Sequence, residues 1–230
     1  MERYLVTGSS RGIGRAIAER LAAPGRELIL HGRDAAALAL VEASVIASGG
    51  AAKVVRGDLG RHGTIGRLVA AVGDGELAAL VNNAGSALVK PVGEITRAEW
   101  EESLTVGATA PFLLVQALLP RLAPGSTIVN VMSIAARRGF ADWSAYCAAK
   151  FALEGFSQAL REELRGRGVR VVNVYPAATD TSLWVGVPGS WPRRRMIAPA
   201  EVAEAVAYAL SRPSGVLVET IEVGDLSGPI

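Results

Sequence analysis

A chain of 230 residues, 50% hydrophobic and 20% charged, holds enough apolar side chain for one well-buried α/β domain and is a poor match to a disordered chain. Its single cysteine, Cys147, excludes an intrachain disulfide, and two histidines, His31 and His62, are too few for a histidine-built zinc centre, so no metal is expected. The formal charge of +2 gathers only at Arg193–Arg195, and no apolar run of the ~20 residues needed to cross a bilayer is read, so neither nucleic acid nor membrane is expected as partner. The N-terminus runs straight into Tyr4-Leu5-Val6, which leaves no room for a cleaved leader, and the cytoplasm is the expected location.

Strand and helix patterns then alternate. A strand over residues 3–7 runs into Thr7-Gly8-Ser9-Ser10-Arg11-Gly12-Ile13-Gly14, and a helix over 13–23 follows. Gly8, Gly12 and Gly14 permit a tight turn that approaches a pyrophosphate, and the helix start offers unpaired N–H groups and the positive end of its dipole. Placed directly after the first strand, this turn is expected to cradle a dinucleotide, with Ser10, Arg11 and Ile13 beside the glycines. The second strand, 27–31, closes on His31-Gly32-Arg33, where a carboxylate would favour NAD. Arg33, with Arg11 nearby, suits a 2′-phosphate instead, so NADP(H) is the expected cofactor; NAD(H) stays open if Asp34 turns inward.

A helix over 35–48 and a strand over 52–56 lead to Asp58-Leu59, which suits an adenine edge, with Asp58 accepting from the exocyclic amine. A helix over 65–72 and a strand over 79–82 lead to Asn82-Asn83-Ala84-Gly85, whose small residues let a cofactor pass over the strand ends. Helices are predicted over 97–122, 144–165 and 200–211, and strands over 127–132, 170–175 and 217–223. Near-continuous apolar strands indicate a sheet covered on both faces. The predicted fold is α/β: a Rossmann-like, doubly wound, mostly parallel seven-stranded sheet with helices on both faces, in one domain over 1–230. Residues 176–199 lack a period, and a substrate lid is expected over 182–198.

Ser133 closes a strand at the edge where ligands of such sheets bind, and Tyr146 and Lys150 share one helical face. A neighbouring ammonium lowers the phenol's pKa from about 10. Ser133 can then hold a carbonyl oxygen while Tyr146 delivers its proton as hydride reaches the carbon, or the reverse.

These motifs together resemble the short-chain dehydrogenase/reductase family over nearly the whole chain. The glycine turn is similar to its cofactor motif and Asn82-Asn83-Ala84-Gly85 to its NNAG motif. Ser133 with Tyr146-Cys147-Ala148-Ala149-Lys150 resembles its catalytic serine and YxxxK pair, and Pro176-Ala177-Ala178-Thr179-Asp180-Thr181 its PGxxxT segment, with Ala177 for the usual glycine. The resemblance implies an oxidoreductase interconverting a carbonyl and a secondary alcohol, catalysed by Ser133, Tyr146 and Lys150. It implies that Lys150 also holds the nicotinamide ribose and that the segment of Pro176, Thr179 and Thr181 contacts the carboxamide. It also implies a homodimer or homotetramer built through the long helices.

One position departs from the family pattern. Gly107 stands where the family carries an asparagine that holds a proton-relaying water, and the backbone carbonyl with the vacated volume is expected to hold that water. A catalytically weak NADP(H)-binding regulatory protein, or an epimerase or dehydratase using the same site, is the alternative. Ile134, Ala135, Phe140, Trp143, Trp184 and Trp191 suggest an apolar or aromatic carbonyl substrate, whereas Arg137 and Arg138 would suit an acidic one.

Overall fold

Seven strands form one sheet: β1 (Glu2–Val6), β2 (Arg26–Gly32), β3 (Ala51–Arg56), β4 (Ala79–Asn82), β5 (Thr127–Val131), β6 (Arg170–Pro176) and β7 (Thr220–Val223). The computed structural model describes residues 1–61 and 63–228; His62 lies outside them. The strand order is β3-β2-β1-β4-β5-β6-β7, and every pair is parallel, beyond the mostly parallel sheet expected. The order reverses between β1 and β4, so the crevice at their C-terminal ends is the switch point where ligands of open sheets bind.

Alternation along the strands feeds two cores. Tyr4 and Val6 of β1 pack with Ile17, Leu21, Leu38 and Val202, from α1 (Gly12–Leu21), α2 (Ala35–Ala47) and α7 (Pro199–Leu210). Leu5 points the other way, towards Leu68, Leu114 and Leu160, from α3 (Thr64–Val72), α5 (Ala110–Leu118) and α6 (Ser144–Arg165). Each fully buried aliphatic side chain of this kind contributes about 1.5–3 kcal/mol of burial free energy. A polar ladder crosses the centre of the sheet. Asn82, Asn130 and Asn173 are in register on adjacent strands, and Asn130 accepts from Asn82 at 2.9 Å while donating to Asn173 at 3.2 Å and to Ser157 Oγ at 2.8 Å.

Three expectations are corrected. The last strand is shorter than 217–223, because the ladder with β6 begins at the Asn173–Thr220 pair. The helix expected over 97–122 is divided into α4 (Arg97–Leu104), a π turn (Thr105–Thr109), α5 and a closing 3-10 turn (Leu119–Arg121). Pro111 explains the widening: it lacks the N–H that would bond the Gly107 carbonyl in a regular α-helix, and its ring crowds that carbonyl. Finally, Arg97–Arg121 is, by length and composition, apolar enough to cross a membrane, contrary to the sequence reading. In the fold, this segment packs its buried side against α3 and α6.

Candidate active site

The turn between β1 and α1 is built by close approach. Gly8 and Gly12 have φ of +67° and +56°, and a Cβ on Gly14 would stand 2.2 Å from the Gly8 carbonyl oxygen. Only glycine fits such contacts. Thr7 fastens the turn to the loop after β4: its hydroxyl accepts from the Asn83 and Ala84 N–H groups at 3.0 Å each, and the Asn83 amide donates to the Thr7 carbonyl at 2.9 Å. No side chain caps the α1 N-terminus at Arg11, so its first-turn N–H groups stay available at a cleft of about 670 Å³.

The far rim of this cleft is cationic. The Arg33 side chain is 64% exposed, and its guanidinium lies 3.8 Å from Asp58, whose other oxygen accepts from the Gly60 N–H at 2.9 Å. Asp34, by contrast, caps α2 by accepting from the Ala37 N–H at 3.1 Å, so its carboxylate is turned to the helix. Below the rim His31 is buried, and its Nδ1 accepts from the Gly8 N–H at 3.3 Å. Burial pushes His31 down to about 4, so the imidazole is neutral at ordinary pH and able to accept.

At the other end of the cleft stand Tyr146 and Lys150. Ser133, at the end of β5, caps a short 3-10 turn by accepting from the Ala135 N–H at 3.1 Å, and its hydroxyl draws the adjacent Tyr146 phenol towards ionisation. Lys150 is buried; its Nζ donates to the Val131 carbonyl at 2.8 Å and lies 5.8 Å from the Tyr146 ring centroid. The expected lowering of the phenol by the ammonium is not the outcome. Burial dominates: it raises the Tyr146 phenol and holds Lys150 down at about 8.

The chain matches known proteins along nearly its whole length. The short chain dehydrogenase family model matches residues 2–188. The chain belongs to the short-chain dehydrogenase/reductase family. It is 30% identical over 237 residues to the sepiapterin reductase of Chlorobaculum tepidum, covering 98% of this chain and 97% of that one. A metagenomic short-chain oxidoreductase solved in complex with NADP is 32% identical, with a TM-score of 0.84 over 96% of each chain. An alcohol dehydrogenase of the archaeon Thermococcus sibiricus, complexed with 5-hydroxy-NADP, has a TM-score of 0.91 at 25% identity, covering 100% of this chain and 99% of that one.

Within this short-chain dehydrogenase, Gly8, Ser10, Arg11, Gly12, Ile13, Gly14, Arg33, Asp58, Leu59, Ala84, Gly85, Tyr146, Lys150 and Thr181 all line the cleft. Ser133, Asn82, Pro176 and Thr179 do not: Ser133 stands beside Tyr146 and caps the 3-10 turn, Asn82 is spent on the asparagine ladder, and buried Thr179 donates to the Ala177 carbonyl at 2.9 Å. Asn83 and His31 line it and were missed. Because side chains alternate at a strand end, the commitment of Asn82 to the sheet is the signal that its neighbour faces the cleft. The volume expected beside Gly107 is absent as well. A Cβ there would lie 2.8 Å from the Ala149 Cβ, so the missing side chain is filled by the approach of α6.

Residues 182–198 form two 3-10 turns, Ser182–Gly186 and Arg193–Arg195, and Ser182, Leu183, Val185 and Gly186 close the cleft's edge. The arginine run is used as fastening: Arg193 pairs with Asp180, and Arg195 donates to Ser227 Oγ at 3.2 Å. Arg137 lies over the Tyr175 ring at 3.8 Å and pairs with Glu222, and Arg138 lies 4.7 Å over Phe140. Neither arginine lines the cleft.

Proposed function

We propose that this short-chain dehydrogenase is an NADP(H)-dependent oxidoreductase that interconverts a carbonyl and a secondary alcohol, with Tyr146 as acid and base. The observation that carries this reading is one cleft with an uncapped helix start and Arg33 at one end and Tyr146 with buried Lys150 at the other. The residues fit the dinucleotide. The first-turn N–H groups of α1 suit its pyrophosphate, exposed Arg33 and Arg11 suit a 2′-phosphate, and the diversion of Asp34 into capping removes the carboxylate that would favour NAD. The NADP bound by one solved relative and the 5-hydroxy-NADP bound by the other support the same preference.

When bound, the nicotinamide supplies or accepts the hydride. Ser133 holds the substrate oxygen, and Tyr146 gives it a proton as negative charge develops there, a contribution of about 10²–10⁴ in rate. Raised by burial, Tyr146 is protonated at neutral pH and ready to act as the acid in reduction. Lys150, anchored on the Val131 carbonyl, presents its remaining N–H donors to the nicotinamide ribose and its charge to the developing phenolate. Residues 1–230 act as one catalytic domain, with 182–198 as its lid. Exposed Trp100, Phe112 and Phe151 on α4, α5 and α6 support a homodimer or homotetramer through those helices.

The test is loss of reduced-nicotinamide absorbance against a panel of aldehydes, ketones, quinones and acyl thioesters, with NADPH and NADH in parallel. Turnover with NADPH at least tenfold above NADH is expected. Tight NADPH binding without turnover of any panel member would favour the regulatory reading instead.

A further inference from the structure

Ser133 leaves the sheet with little to hold it. The β5–β6 ladder ends at the Val131–Val174 pair, with the Met132 N–H still bonded to the Val174 carbonyl at 2.8 Å. The chain then enters the 3-10 turn Ile134–Ala136, closed by the Arg137 N–H on the Ile134 carbonyl at 3.0 Å. One end of this short segment puts the Ser133 hydroxyl beside Tyr146. The other end carries Arg137, whose guanidinium lies 3.8 Å over the ring of buried Tyr175 and pairs with Glu222 of β7. The Tyr175 hydroxyl in turn donates to the Glu154 carboxylate. Tyr146, Lys150 and Glu154 stand at i, i+4 and i+8 on α6, so both ends of the segment reach one helical stripe.

We propose that Arg137, Tyr175 and Glu154 are positioning residues for the reaction: they clamp the Ser133 turn to α6 and so fix Ser133 against Tyr146. The proposal rests on the reductase reading above. The clamp closes a ring that runs from Ser133 through Arg137, Tyr175 and Glu154, up α6 to Tyr146, and back to Ser133. Its foot is rigid. Glu154 also accepts from the Asn173 amide at 3.0 Å, and Asn173 accepts from Asn130 at 3.2 Å within the buried asparagine ladder. Its arm is rigid too, because a planar guanidinium stacked on an aromatic face and paired with a carboxylate is fixed in orientation as an ammonium is not.

None of the three side chains lines the cleft, so they act on the reaction only through Ser133 and Tyr146. A donor aimed at charge developing on a substrate oxygen is effective when its position is set beforehand, and a misplacement of about 1 Å costs up to about 10²-fold in rate. Loosening the clamp therefore lowers kcat and kcat/KM together, the signature of an interaction made in the transition state. NADPH affinity stays as it is, because the glycine turn and Arg33 lie at the other end of the cleft.

The experiment measures kcat and KM with the panel ketone turned over fastest, the NADPH Kd, and the ζ-carbon NMR signals of isotope-labelled tyrosine. Tyr146→Phe identifies the Tyr146 signal among the four tyrosines, and Ser133→Ala shows how that signal moves when the serine hydroxyl is removed. Arg137→Ala, Tyr175→Phe and Glu154→Ala are each expected to move it in the same direction as Ser133→Ala and to lower kcat about tenfold, with the NADPH Kd within about twofold of wild type. Combining Arg137→Ala with Tyr175→Phe should cost little more than either alone, as expected of links in one chain. Glu154→Gln keeps an acceptor for the Tyr175 hydroxyl and should return most of the rate. A lowered Tm in the three variants, with the Tyr146 signal unmoved and kcat unchanged, would overturn the clamp. A signal that moves in all three, with no turnover of any panel member, would support the clamp while refuting the reductase reading.

Discussion

Replacing Gly107 with alanine sets two effects of opposite sign against each other. Inside a helix, alanine is favoured over glycine by about 1 kcal/mol. Here the new Cβ would lie 2.8 Å from the Ala149 Cβ, where carbon atoms settle at about 3.5–4.0 Å. The π turn and α6 must separate by about 1 Å, and overpacking of this kind costs about 1–3 kcal/mol. The clash offsets the propensity gain and at its upper end outweighs it, with a net loss of up to about 2 kcal/mol, which for a chain of this size lowers Tm by up to about 8 °C. Lys150 follows Ala149 directly, so the shift also disturbs its bond to the Val131 carbonyl. A misplacement of about 1 Å near the chemistry costs up to about 10²-fold in rate. Thermal unfolding and single-turnover ketone reduction measure both effects, and Ala149→Gly in the same chain should restore most of each, as expected of residues in contact. A Gly107→Ala protein with raised Tm and unchanged turnover would refute the reasoning, because helix propensity would then have won.

Arg33→Ala should weaken NADPH binding by about 10–100-fold, the value of one charge-assisted contact, while changing NADH affinity little; equal losses for both would remove Arg33 from the 2′-phosphate site. His31 is held at about 4, below its ordinary 6.5, so as pH falls the unfolded chain takes up the proton first. Its share of stability is full above about 6.5 and is lost between 6.5 and 4. Urea unfolding at about pH 7 and pH 5 should show a loss of about 2 kcal/mol in the wild type that is absent in His31→Gln. Lys150, lowered from 10.5 to about 8, gives the opposite end of the pH range: the unfolded chain binds more protons between those values, so stability rises with pH across that window. Lys150→Met should flatten that rise, and a rise that survives the substitution would place its source elsewhere.

The placement of the glycine turn, Arg33 and Ser133 at strand ends, and of Tyr146 and Lys150 on one helix, was legible because the sequence displays the period of those elements. The parallel order of the sheet followed from the same alternation. What escaped was decided by partners distant in the chain. Asn82 reads as a cleft residue until Asn130, across the ladder, claims its side chain. Gly107 reads as an empty position until Ala149 is seen to fill it, and the break in the long helix depends on Pro111 acting on the preceding turn. The pKa of Tyr146 was misjudged for a similar reason, because pair spacing shows the ammonium but not the burial that outweighs it.

The most direct measurement is single-turnover hydride transfer from NADPH to a ketone by the wild type and by Tyr146→Phe, with NADPH binding followed in the same samples. The account predicts that NADPH still binds Tyr146→Phe within a few-fold of wild type while hydride transfer falls by about 10²–10⁴. Hydride transfer at an undiminished rate in Tyr146→Phe would contradict Tyr146 as the proton donor.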